Sequence, residues 1–75
     1  MAELPRPLDA LNNARNKRVI VELKNKTTFI GKLNAFDIHI NVVLDDAELR
    51  VDNEIVKKMG TVFIRGDTIV SIAVE

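Results

Sequence analysis

Apolar and polar residues change their period along this chain. Pro7-Leu8-Asp9-Ala10-Leu11-Asn12-Asn13-Ala14-Arg15 reads as a short helix over about 7–15. Pro7 suits the first turn, Asp9 suits the positive end of the helix dipole, and Leu8 and Leu11 share a face. The Asn pair makes it a weak helix that needs docking to persist. After residue 17 the period becomes two. Val19, Val21 and Leu23 alternate with Ile20, Glu22 and Lys24, which predicts a half-buried strand. Asn25-Lys26 is a hairpin-turn signal. Phe29, Gly31, Leu33 and Ala35 then mark one face of a second strand, whose interior Gly31 predicts a bend or a close backbone approach. Ile38, Ile40, Val42 and Leu44 lead into a third strand that continues through Ala47, Leu49 and Val51. Asp52-Asn53 is a second turn signal. Glu54 to Ile64 reads as a fourth strand and Thr68 to Val74 as a fifth.

The expected fold is mainly β: a short N-terminal helix and a five-stranded, strongly bent antiparallel sheet that forms a small open barrel. The last strands are apolar on both faces. Val62, Phe63, Ile64, Ile69, Val70, Ile72, Ala73 and Val74 would leave adhesive edges on an open barrel. One solution pairs the fourth strand of one subunit with the fifth of the next, a head-to-tail contact that closes a ring if the rotation allows. The other covers one edge with the helix and leaves a monomer or dimer.

With 75 residues the chain is a single domain, 1–75. A domain this small buries only ~60% of its unfolded surface and usually needs disulfides, a metal or oligomerisation for stability. The absence of cysteine removes the disulfides and every thiolate metal site. A lone His among scattered carboxylates does not make a structural zinc site, so no metal and no cofactor are expected. Self-association remains. No apolar run approaches a membrane span and the start carries no signal-peptide core, so no membrane partner is expected and a cytoplasmic location is.

The net charge is zero, which argues against indiscriminate nucleic-acid binding. The distribution is uneven. Lys17, Arg18, Lys24, Lys26 and Lys32 face only Glu22 in residues 17–36, whereas Asp37, Asp45, Asp46, Glu48, Asp52 and Glu54 face only Arg50 in residues 37–56.

Two polar clusters interrupt the apolar strands: Asp37-Ile38-His39-Ile40-Asn41 and Ile64-Arg65-Gly66-Asp67. They hold an imidazole and a guanidinium, which offer flat faces, and an Asn amide, which offers a donor beside an acceptor. Those groups can sandwich a base and read its edge. Turns favour Asp, Asn and Gly on any protein, so residue type alone leaves ordinary turns as the alternative. His39 beside Asp37 or Asp67 resembles an acid–base pair, but neither cluster has a Ser or Cys nucleophile or a metal set, and an enzyme is not expected.

In order and spacing, the chain resembles the Sm and Sm-like (LSm) RNA-binding proteins, most closely the archaeal Sm-like proteins, over roughly residues 6 to 74. Arg6-Pro7-Leu8-Asp9 resembles the family's helix start. Leu23, Phe29, Gly31, Leu33, Asp37, Asn41 and Leu44 fit the first Sm motif, spanning about 19–51. Ile64-Arg65-Gly66-Asp67-Thr68-Ile69-Val70 fits the second, spanning about 54–74. The resemblance implies a homo-oligomeric ring, often a heptamer, that binds uridine-rich single-stranded RNA around its central pore. It implies roles in RNA processing, stability or ribonucleoprotein assembly, with RNA-processing proteins as further partners. It places His39 and Arg65 on either side of a uracil, Asn41 at its edge, Gly66 and Asp67 in the same pocket, and Asp37 in support. Some archaeal members have a second RNA contact whose positions here are Arg6 and Phe36.

The chain departs from the family in places. Lys26 replaces a frequent Gly in the first hairpin, where Asn25 is expected to take the left-handed conformation instead. Ile40 stands where Met is common, and Phe36 where Tyr is frequent. Arg65-Gly66 replaces the Lys-His pair of the bacterial Hfq branch. The other functional class compatible with the pattern is a structural β-barrel adaptor that binds proteins through exposed strand edges.

Overall fold

The computed structural model describes residues 6–75. Helix α1 is Pro7–Asn13, followed by strands β1 Arg18–Leu23, β2 Thr27–Phe36, β3 Val42–Val51, β4 Glu54–Ile64 and β5 Ile69–Val74. The strands form one antiparallel sheet in the order β4-β3-β2-β1-β5.

Pro7 opens α1, and the Asp9 carboxylate accepts the Arg6 backbone N–H at 3.3 Å, satisfying a donor at the helix start. The helix stops at Asn13, two residues short of the expected end at 15. The poor helix formers Asn12 and Asn13 are followed by Asn16 in the left-handed region, φ 68°. There the Asn16 N–H donates to the Leu33 carbonyl at 2.7 Å and turns the chain onto the sheet. Leu11 and Ala14 dock the helix against the core, as a helix this short requires.

The alternation read in the sequence sets the core. Val19, Val21, Leu33, Val42 and Leu44 are fully buried, joined by Ala47 and Ile64. Gly31 allows the bend. A Cβ there would lie 2.9 Å from the Asp45 carbonyl oxygen and 3.1 Å from the Ala47 Cα. The β2–β3 register slips between Ile30 and Lys32 at this point. A second irregularity at Asp45–Asp46, with Asp46 at φ 50°, lets Leu44 and Ala47 both face inward. Asp45 holds the bend together: its carboxylate accepts Asn34 Nδ2 from β2 at 2.7 Å and Thr61 Oγ1 from β4 at 3.0 Å.

Two turn expectations need correction. Lys26, not Asn25, takes the left-handed conformation, φ 64°. Asn25 instead uses its side-chain oxygen to accept the Thr27 N–H at 3.2 Å, which shifts the positive φ one residue on. Ile38 and Ile40 do not belong to the third strand, which starts at Val42. Ile38 is 74% exposed in the preceding turn, because Asp37 folds the chain back on itself there. Asp52 and Asn53 do form the expected hairpin turn, both with positive φ, 53° and 69°.

β4 and β5 lie at opposite edges of the sheet and do not pair within the chain. The outer part of β4 and much of β5 are solvent-exposed, with Phe63 80% and Val70 60% accessible. Among the described residues the sheet is therefore bent but open, with both edge strands unpaired on their outer sides.

Candidate functional site

The bent sheet brings the two polar clusters together. Residues 37–41 connect β2 to β3, and residues 65–68 connect β4 to β5; β3 and β4 are neighbours, so both turns emerge at one end.

Asp37 organises the first turn. Its Oδ1 accepts the backbone N–H groups of His39 at 2.9 Å and Asn41 at 3.1 Å, and its Oδ2 accepts Asn41 Nδ2 at 3.0 Å. The Asn41 amide hydrogen bond is the main influence holding the Asp37 carboxyl below its ordinary range. Partial desolvation opposes it, and the two backbone N–H groups and the nearby His39 add to it. The turn is closed by the Ile40 N–H to the Asp37 carbonyl at 3.0 Å and by the Asp37 N–H to the Asn41 carbonyl at 3.1 Å. Between His39 and Asn41, Ile40 adopts φ 61° while its side chain packs against the core. A β-branched residue in this region is strained.

The second turn is a short 3₁₀ segment, Gly66–Thr68. Thr68 donates its hydroxyl to the Arg65 carbonyl at 2.7 Å and its N–H to the same oxygen at 3.1 Å. Arg65 Nη2 meets Asp67 Oδ2 at 2.9 Å. Both side chains are largely exposed, so this pair orients the guanidinium more than it stabilises the fold.

Asn41 joins the turns. Its Oδ1 accepts the Gly66 N–H at 2.7 Å. A carboxylate only accepts and a backbone N–H only donates, so Asp37 and Gly66 together fix which end of the amide points where. One Nδ2 hydrogen and one Oδ1 lone pair remain beyond these two bonds. The contact demands glycine at 66. A Cβ there would overlap the His39 carbonyl oxygen and come within 2.7 Å of the Ile40 carbonyl carbon.

His39, Asn41, Arg65, Gly66 and Asp67 together line an open pocket of about 440 Å³. Asp37 stands behind it as a support. Arg6 and Phe36 lie elsewhere: Arg6 is at the start of α1 in an exposed ion pair with Asp9 at 3.2 Å, and Phe36 lines a separate hollow with Val43 and Phe63. Ile40 and Thr68 are structural contributors that the sequence reading missed. The Thr after Arg65-Gly66-Asp67 is a recognisable turn-closing residue; the strain at Ile40 has no local signal. Among the described residues no group of three or more His, Cys, Asp or Glu is placed to hold a metal ion, and no helix is long and apolar enough to cross a membrane.

Comparison with known proteins gives a consistent result. The chain is 53% identical over 68 residues to a curated snRNP Sm-like protein of Methanococcoides burtonii, covering 91% of this chain and 94% of that one. A similar relative from Thermococcus kodakarensis is 51% identical over 73 residues, covering 97% and 93%. Among solved structures, the Pyrococcus abyssi Sm protein in complex with a uridine heptamer superimposes with a TM-score of 0.91 at 45% identity, covering 95% of this chain and all (100%) of that one. The P. aerophilum SmAP1 heptamer superimposes with a TM-score of 0.89 at 30% identity, covering 97% of each chain. The LSM domain model matches residues 9–74, and with the helix, bent sheet and paired turns described above it places this chain in the LSM family of Sm-like proteins.

Proposed function

We propose that this chain acts as a single domain that assembles into a homo-oligomeric ring, a heptamer, and binds uridine-rich single-stranded RNA at the central pore. The observation that carries the reading is the Asn41 amide, held by Asp37 and Gly66 with one donor and one acceptor left free. Uracil presents two carbonyl acceptors around one N–H donor. Asn41 donates to a carbonyl and accepts from the N–H. Cytosine reverses part of that pattern and would leave polar groups unpaired.

His39 and Arg65 contribute flat faces for stacking, which any base satisfies. Gly66 lets the two turns touch, Asp67 orients Arg65, and Asp37 orients Asn41. One such pocket binds weakly. A ring repeats it around one opening, so a strand occupying several pockets gains by effective concentration. The same repetition gathers Arg65 and His39 around one opening. The uridine heptamer complex of the P. abyssi relative and the heptameric relatives support both halves of the reading. Unpaired β4 and β5 edges are the surfaces through which the ring closes.

The role is binding, without a chemical step, in cytoplasmic RNA processing, stability or ribonucleoprotein assembly. Arg6 and Phe36 are the positions proposed for a second RNA contact. The test is filter binding of oligo-U and oligo-C to the parent and to Asn41→Ala. The parent prefers oligo-U, and the variant narrows that preference with the ring intact. Equal binding of both oligonucleotides by the parent would refute the edge-reading role.

A further inference from the structure

Ile40 occupies a backbone position that ordinarily goes to glycine. Its N–H donates to the Asp37 carbonyl at 3.0 Å, and the Asp37 N–H donates to the Asn41 carbonyl at 3.1 Å. Residues 37–41 thus form a three-residue hairpin loop. Ile38 and His39 make a tight turn, neither with positive φ, and one left-handed residue follows, Ile40 at φ 61°. That third place suits glycine, because in the left-handed region a Cβ crowds the following carbonyl oxygen. Asparagine is the usual substitute, and a β-branched residue is among the worst choices. A turn that only reversed the chain would have no use for isoleucine here.

The side chain makes the difference. Ile40 is half-buried and is the one residue of 37–41 that packs against the core. It lines an apolar hollow alongside α1 and β5 with Leu11, Ile69 and Ile72. Its carbonyl group is also where the two turns meet: a Cβ on Gly66 would fall 2.7 Å from the carbon and 2.8 Å from the oxygen. One residue on, Asn41 Oδ1 accepts the Gly66 N–H at 2.7 Å. Asp37 and Gly66 decide which way the Asn41 amide faces. Asp37 is itself an exposed part of the loop, so its hydrogen bonds move with the loop. Ile40 is what ties the loop to the core.

We propose that Ile40 is a positioning residue for base selection: its apolar anchor, held at a backbone angle that suits glycine, fixes the 37–41 loop so that the Asn41 amide edge stays in place for uracil. This rests on the uridine pocket proposed above, and it adds that selectivity depends on a side chain outside the residues lining that pocket. Edge readout needs placement within about 0.5 Å. Stacking tolerates more, since every base has a flat face. Loosening the anchor therefore lowers discrimination more than it lowers affinity for bases in general.

Three variants separate the anchor from the angle. Ile40→Leu keeps an apolar anchor without branching at Cβ. Ile40→Gly frees the angle and removes the anchor. Ile40→Ala removes most of the anchor and keeps a Cβ. Urea unfolding at fixed protein concentration should find Ile40→Gly more stable than Ile40→Ala, the reverse of the usual order. Uridine and cytidine monophosphate, which each fill one pocket, are then titrated against the intact ring. The ratio of the two affinities should fall by about fivefold in Ile40→Gly and Ile40→Ala, the weight of one misplaced hydrogen bond. It should keep the parent's value in Ile40→Leu. Leu11→Ala truncates the same apolar cluster from the helix and controls for general softening, so it too should keep the parent's ratio. An unchanged ratio in Ile40→Gly and Ile40→Ala, or an equal fall in Leu11→Ala, would overturn the positioning role and leave the pocket standing. Greater stability of Ile40→Ala than of Ile40→Gly would overturn the strained angle. A parent that binds the two nucleotides equally, or binds neither, would overturn the pocket reading and this proposal with it.

Discussion

Gly66→Ala separates the geometry of the site from the stability of the fold. Gly66 does not have a positive φ, so the substitution carries no conformational penalty of that kind. By restricting the unfolded chain it would even stabilise by about 0.4–1 kcal/mol. Space decides against it. The new Cβ would sit 2.7 Å from the Ile40 carbonyl carbon and 2.8 Å from its oxygen, and both are backbone atoms that cannot rotate away. The turns must separate, at a cost of about 1–3 kcal/mol for overpacking. Separation also breaks the 2.7 Å Gly66 N–H to Asn41 bond, worth about 1 kcal/mol. The net loss is about 1–3 kcal/mol once the unfolded-state gain is subtracted. Gly60→Ala is the comparison. Gly60 has φ +75° with nothing within 4 Å of a Cβ, so its cost is conformational, about 1–2 kcal/mol, and far from the pocket. Urea unfolding at fixed protein concentration gives the stabilities and oligo-U titration gives the affinities. Both variants should be destabilised, and only Gly66→Ala should lose oligo-U binding. Equal binding by the two would refute the claim that contact between the turns builds the site.

Acidification should release the first turn. The folded state depresses the Asp37 carboxyl, so its contribution is complete above the ordinary value of 3.8 and is lost as pH falls below it; exchange protection of the His39 and Asn41 amides, followed stepwise below pH 5, checks this. His39→Ala and Arg65→Ala should each weaken oligo-U and oligo-C alike, by about 1–3 kcal/mol in filter binding, since each removes stacking. Val70→Lys should dissociate the ring without unfolding the chain, because Val70 is 60% exposed on the free β5 edge and assembly would bury the charge. Ile69→Lys should unfold it, because Ile69 packs against the core; sedimentation and circular dichroism separate the two outcomes.

Much of this fold was legible because its signals are local. Alternation from Val19 to Leu23 needs only a half-buried sheet, and Asp52-Asn53 needs only a two-residue hairpin. The misreadings arose where a side chain competed with the periodicity. Ile38 and Ile40 continue the alternation toward Val42, yet Asp37 captures two backbone N–H groups and bends the chain before the strand starts. Asn25 spends its oxygen on Thr27 and passes the left-handed position to Lys26. In the candidate site, residue type pointed to His39, Asn41 and Arg65 as groups able to hold a base, and the family resemblance implied Gly66 and Asp67 beside them. The orientation of the Asn41 amide was beyond reach, because it depends on a bond to Gly66, 25 residues away.

The central claim is that this chain forms a ring that selects uridine-rich RNA. Native mass spectrometry of the protein mixed with equal amounts of oligo-U and oligo-C of one length, at low micromolar concentration, tests both parts in one spectrum. The account predicts a single discrete heptamer, with oligo-U bound in clear excess over oligo-C. A predominant monomer, or a ring carrying the two oligonucleotides equally, would contradict it.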